Sequence, residues 1–251
     1  MDKDNHQVSI QNNDDNDKVD CADKKSVAAD FKVEDLKPNM VFLTFYTIVM
    51  GLGTLQSSWT IAGNASTAPI LITQFGWDKE EAVHFNSLIN ITAMLGMAIG
   101  SLVAGNSIVY GRRKTLIFWE TVAIFACALT LVRTLPTICV GRFVLGVSAG
   151  MLNVACGKSI DETMPLNLIG AFGAITNFGI NFGITWIMLL GFMLPPMEDT
   201  TQQETDQLWR IIFGLPGVIA IFHIILLLTI FKEEPIIFNI SNGNLKEAQT
   251  L

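Results

Sequence analysis

The sequence predicts an all-α membrane protein, a bundle of six transmembrane helices. Three observations predict it. Half of the 251 residues are hydrophobic and the mean hydropathy is +0.44. Only 16% are charged, against about 25% in soluble domains. And six separate apolar segments are each close to the roughly 20 residues that cross a bilayer as helix.

The segments run about Met40–Ala62, Asn86–Ile108, Thr115–Val132, Ile138–Cys156, Leu168–Met193 and Ile211–Phe231. They are too long and too uniformly apolar for barrel strands, which are about 10 residues long and alternate strictly. Residues 1–37 precede them as a polar, aspartate-rich tail. Its small apolar surface cannot offset chain entropy, so it is expected to be a disordered cytoplasmic domain. It has no apolar core of a secretory signal and no Met-Gly start for myristoylation. Residues 38–232 form the predicted bundle, and 233–251 the truncated start of an intracellular helical region. The net charge of −7 comes mainly from the tail and one loop, so it says nothing about a nucleic-acid partner, and none is expected.

Basic residues orient the bundle. With the N-terminus inside, the cytoplasmic side holds Lys24, Lys25, Lys32, Lys37, Arg112, Arg113, Lys114, Lys158, Lys232 and Lys246. The outside holds Lys79, Arg133 and Arg210. Both termini are therefore predicted to be cytoplasmic. Of three N-x-S/T sequons, at Asn64, Asn90 and Asn239, only Asn64 lies outside in this orientation. It sits so close to the predicted end of the first helix that glycosylation is not favoured. Cys21, Cys127, Cys139 and Cys156 show no metal-binding or disulfide spacing.

Ionisable residues deep in a membrane helix are functional candidates by default. Here they are Glu120, Arg142 and His223. A lone histidine can stay neutral and hydrogen-bond within the bundle, and His223 is read that way. Arg142 cannot shed its proton, so it needs a polar cavity or a partner, as a gating residue or as an anchor. Glu120 and Arg142 belong to antiparallel helices at depths roughly 10 Å apart, so a direct pair between them is not expected. Glu120 is a candidate coupling residue or a structural one.

The fourth segment carries Gly146, Ser148, Ala149 and Gly150, a small-residue face that lets backbones approach closely. On the fifth, Asn177, Ile180, Asn181 and Ile184 share one helical face. Two amides and two isoleucines suit a ligand with hydroxyls and an apolar ring edge, or else amide bonding between helices. Gln56, Ser57 and Ser58 add hydroxyl-compatible groups in the first helix, with Gln56 a further candidate for binding, or else they mark that helix's outer end. No nucleophile–base pair, metal-ligand cluster, P-loop or phosphate-cradling glycine loop is present, so an enzyme is the least expected class and no cofactor is implied.

The segment GRFVLGVSAG at 141–150 resembles the fourth-helix motif of the sugar porter family in the major facilitator superfamily. Glu162, Pro165 and Gly170 have the spacing of that family's acidic-proline-glycine motif. Trp209–Arg210 with Gly214–Leu215–Pro216 resembles the start of its sixth helix. Glu233, Glu234 and Pro235, and Gly243 to Ala248, resemble the segment that leads into its intracellular helices. Gly111–Arg112–Arg113 resembles its loop between helices two and three. The resemblance covers about Met40 to the end.

It implies transport of a hexose-like sugar across the plasma membrane by alternating access. Asn177 stands where these porters carry a sugar-binding glutamine, and Ile180 and Ile184 fall on pocket positions. Arg112, Arg113, Glu162 and Glu233 would belong to the cytoplasmic gate. Several charges of that gate are replaced: Ile108, Ile169 and Ile236 stand where the family has an aspartate and two arginines. Proton-coupled members carry an aspartate in helix one, which has no carboxylate here, so facilitated diffusion, or coupling through Glu120, is favoured over the usual proton symport.

Such porters have two six-helix halves with substrate between them, and this sequence resembles only the first, N-terminal half. It is expected to be a fragment of a longer chain, or a half-transporter that pairs with a second copy. An organic-anion carrier with Arg142 as counter-charge, and a non-transporting partner of a full-length transporter, are the alternatives.

Overall fold

The computed structural model describes residues 40–164, 168–195, 203 and 206–230. The expectations for the tail at 1–37, for Pro165, and for Glu233 and the residues around it lie outside the described residues.

Six long helices make up the described bundle: α1 (Met40–Phe75), α2 (Lys79–Ile108), α3 (Arg112–Thr130), α4 (Leu135–Thr163), α5 (Ile169–Gly191) and α6 (Leu208–Thr229). All but α3 are long and apolar enough to cross a membrane. α3 is shorter and carries Arg112, Arg113, Lys114 and Glu120. The chain is an integral, multi-pass membrane protein.

The predicted ends follow where apolar runs stop, and α1, α2 and α4 run further, while α5 lies within its predicted segment. α1 continues from Ala62 to Phe75. At 36 residues it is about 54 Å long, beyond the roughly 30 Å of a hydrocarbon core. Its polar residues stay helical because their side chains find partners inside the bundle. Thr67 donates to the Gly63 carbonyl one turn back. Asn64 is fully buried and donates to Asn86 Oδ1 at 2.5 Å and Asn90 Oδ1 at 3.1 Å on α2. Asn64 is thus a helix-packing residue, out of reach of a glycosylating enzyme. α2 begins at Lys79 rather than Asn86, because Asp78 and Glu81 form a reciprocal capping box that makes a charged first turn helical.

Turns are tight. α1 ends at Gly76, whose φ of +65° is a left-handed conformation natural to glycine. α3 starts after Gly111, at φ +117°, which a side chain would strain.

α4 is the central helix. Gly146 and Gly150 press against the Ala93 and Met97 carbonyls of α2, while Gly96 and Gly100 of α2 press against the Phe143 and Val147 carbonyls of α4. A Cβ at any of the four would run into backbone. The small-residue face expected on α4 is met by a matching one on α2. On another side, Gly141 seats against Thr130 and the Ala126 carbonyl of α3, and Ser148 Oγ donates to the Trp119 carbonyl at 2.8 Å. α5 packs on α1 through Gly179, beside Thr54, and Gly183, against Ser58 and Leu55. Much of α5 away from that contact is exposed.

Candidate functional site

Asn177 and Asn181 are exposed, and Ile180 and Ile184 are half-buried. The glycine contact with α1 sets this orientation: Ser58 Oγ donates to the Ile180 carbonyl at 2.8 Å, and Ile184 packs against the cluster of Trp59, Ala62, Ile187 and Ile212. Asn181 Nδ2 donates to the Asn177 carbonyl of its own helix at 2.9 Å. Among the described residues neither asparagine side chain bonds another helix. Beside them Phe178, Phe182 and Trp186 stack at successive turns, with centroids 6.4 Å apart, and all three are exposed. α5 therefore offers a surface of amides next to aromatic rings.

Gln56 does not share that surface. It is 1% exposed, because its amide turns inward and donates to the Pro216 carbonyl at 2.9 Å and to Glu120 Oε2 at 3.4 Å. Pro216 is one reason α6 has backbone groups to offer. A proline lacks an N–H, so the carbonyl four residues earlier loses its helical partner. That carbonyl is Ile212, and Trp59 Nε1 of α1 donates to it at 2.9 Å.

Glu120 and His223 meet across the α3–α6 contact, with Nδ1 and Oε1 2.5 Å apart and both side chains at 0% exposure. Gly53 of α1 makes room for them. A Cβ there would lie 2.8 Å from His223 Cε1 and 2.6 Å from Cys156 Sγ. The sequence placed both residues in membrane helices but could not pair them, since they lie 103 positions apart.

Arg142 is 1% exposed. Nη1 donates to the Trp59 carbonyl at 3.2 Å, and the guanidinium lies 5.2 Å from the Phe213 ring centroid, within cation–π range. Nε and Nη2 have no hydrogen-bond partner, and no carboxylate faces the group among the described residues. It bonds one carbonyl and faces one aromatic ring, with the Cys127 thiol also near it.

Arg112 and Arg113 tie three helix ends together. Arg112 grips Glu162 with two parallel bonds, Nε to Oε2 at 2.7 Å and Nη2 to Oε1 at 2.5 Å, joining the start of α3 to the end of α4. Arg113 Nε donates to the Leu227 carbonyl near the end of α6 at 3.1 Å. At the opposite ends Arg133 donates to the Gln74 carbonyl, and Gln74 Nε2 donates to the Gln203 and Asp206 carbonyls at 3.0 and 2.8 Å.

The profile of the family described as "Sugar (and other) transporter" matches residues 46–251. The chain belongs to the sugar porter family. Hexose transporter 1 of Toxoplasma gondii is 30% identical over 203 residues, 74% of this chain and 36% of that protein. Hexose transporter 1 of Plasmodium falciparum is 26% identical over 72% of this chain and 39% of its own length. Among solved structures, the major facilitator superfamily proton:xylose symporter XylE, bound to 6-bromo-6-deoxy-D-glucose, superposes with a TM-score of 0.73 at 19% identity. The superposition covers 85% of this chain and 49% of that one. This sugar porter chain thus spans well under half of the curated relatives it matches. Its bundle has the fold of the N-terminal half of a major facilitator transporter.

Proposed function

We propose that this chain forms one six-helix half of a carrier of hexose-like sugars that works by alternating access, and that it does so by facilitated diffusion. The observation that carries the reading is the open Asn177–Asn181 face on α5, two amides exposed on an otherwise apolar membrane helix. Exposed amides facing lipid are costly. Facing a second six-helix half, whether a further segment or another copy, they become donors and acceptors for sugar hydroxyls. The relatives named hexose transporters support the substrate class.

In this reading Ile180 and Ile184 shape the wall beside the sugar ring. Arg112 with Glu162, and Arg113 with the end of α6, hold one end of the bundle closed, and Glu233 adds to that gate. Both termini and this gate lie in the cytoplasm and the carrier occupies the plasma membrane. Facilitated diffusion is supported by the absence of a carboxylate from α1 and by the absence of one beside Arg142 among the described residues. Gln56, buried in the internal network, acts by fixing α1 to α3 and α6 rather than by touching sugar. Uptake of radiolabelled hexose into proteoliposomes tests the reading. Competition by unlabelled hexoses supports it, and absence of hexose flux in the complete two-half assembly defeats it.

A further inference from the structure

The buried pair at the α3–α6 contact has few neighbours able to balance a charge. From α1 it meets the Gln56 amide, and from α4 the Cys156 thiol, which flanks Gly53 together with His223. On α3 itself, Cys127 lies two turns further along against Gly217 of α6. Arg142 of α4 is engaged by Trp59 and Phe213 instead. Among the described residues, α2 and α5 bring no titratable group to the pair.

Charge counting then favours one proton count over its neighbours. The pair is neutral overall with one titratable proton, as carboxylic acid facing imidazole or as carboxylate facing imidazolium. Removing that proton buries a net negative charge and adding a second buries a net positive one. Each is costly where no water or counter-ion reaches. Either neutral form leaves Nε2, which has no partner, with an unmade hydrogen bond, and that is a smaller penalty than a net charge.

We propose that Glu120 and His223 form a proton-binding site that keeps one titratable proton throughout the transport cycle. His223 is the positioning residue that stops Glu120 from exchanging protons with water. Without the imidazole, Glu120 must carry a proton alone. It then releases it whenever the bundle opens to water and takes one up on the other side, as a coupling carboxyl does. The protonation claim stands apart from the sugar reading; only its flux consequence rests on that reading.

The test uses the reconstituted full chain and two readouts. Infrared difference spectroscopy follows the carboxyl C=O stretch between about pH 5 and pH 8, the range in which an ordinary histidine titrates; Glu120→Gln identifies the Glu120 band. The wild type is expected to show no titration of that band in the window, and His223→Gln is expected to show it. Gln retains hydrogen-bond donors and a similar volume; if it does not fold, His223→Asn takes its place. A Glu120 band that titrates in the wild type, or fails to titrate in the His223 variant, overturns the proposal. In proteoliposomes, hexose flux is expected to change less than about twofold across the window in the wild type and about tenfold per pH unit in His223→Gln, the limit for one titrating group. Wild-type flux that carries protons, abolished by Glu120→Gln, also overturns it. Absence of any hexose flux counts against the sugar reading alone, and the infrared result then decides the proton site.

Discussion

His223 Nδ1 and Glu120 Oε1 stand 2.5 Å apart with both side chains wholly buried, on two directly packed helices that are far apart in the chain. Removing one partner leaves the other buried and unpaired, which costs about 1–3 kcal/mol for a neutral group, whereas replacing both with apolar groups is often neutral. His223→Leu is therefore expected to lower the thermal unfolding midpoint sharply. Glu120→Leu combined with His223→Leu is expected to recover most of the loss. Unfolding followed by tryptophan fluorescence in detergent measures both.

Gly53 admits this pair, so it should not tolerate a methyl group. Gly53→Ala puts a Cβ 2.6 Å from Cys156 Sγ, an overpacking expected to cost about 1–3 kcal/mol. Adding Cys156→Ala removes the nearest obstacle, and the double variant should regain part of that stability in the same assay. The gain is partial because His223 Cε1 remains 2.8 Å from the new Cβ.

The glycines of α4 divide by what faces them. At Gly146 a Cβ would meet the Ala93 backbone carbonyl, which cannot turn aside. At Gly157 nothing lies within 4 Å. Gly146→Ala should separate α2 from α4 and destabilise the protein. Gly157→Ala should be neutral or stabilising by about 0.5–1 kcal/mol, since Ala suits a helix better than Gly. Thermal midpoints moving in opposite directions are the expected result.

The two-pronged Arg112–Glu162 contact depends on the planar guanidinium. Arg112→Lys is expected to behave nearly as Arg112→Gln does, because an ammonium cannot reproduce the fork. A double-mutant cycle with Glu162→Gln should give a coupling energy of about 0.5–3 kcal/mol. A cycle on unfolding in detergent measures it, and additive effects would mean that the pair does not hold α3 to α4.

The sequence carried the helix count, the small-residue face of α4 and the shared face of Asn177, Ile180, Asn181 and Ile184, because each follows from local composition or helical spacing. The ends of α1 and α2 were not legible from apolar runs. Asn64, Ser66 and Thr67 look like an exposed loop until their buried partners are known. Gly96 and Gly100 were readable as a second small-residue face, four residues apart, and that signal was missed. Gln56 reads from the sequence as a binding candidate, and its bonds to α3 and α6 were not legible there because those partners are far along the chain; Pro216 hinted at spare carbonyls without saying which side chain would take them. Pairing Glu120 with His223 required the fold itself.

The central claim is that the amides of α5 hold sugar, and hexose uptake by Asn177→Ala in the complete transporting assembly tests it most directly. Asn177 is exposed and bonds no other helix among the described residues, so the variant should fold with an unchanged unfolding midpoint. Loss of one or two hydrogen bonds to substrate hydroxyls, at about 0.5–1.5 kcal/mol each, should raise the KM for hexose roughly threefold to a hundredfold. A folded Asn177→Ala variant with unchanged uptake and KM would contradict the account.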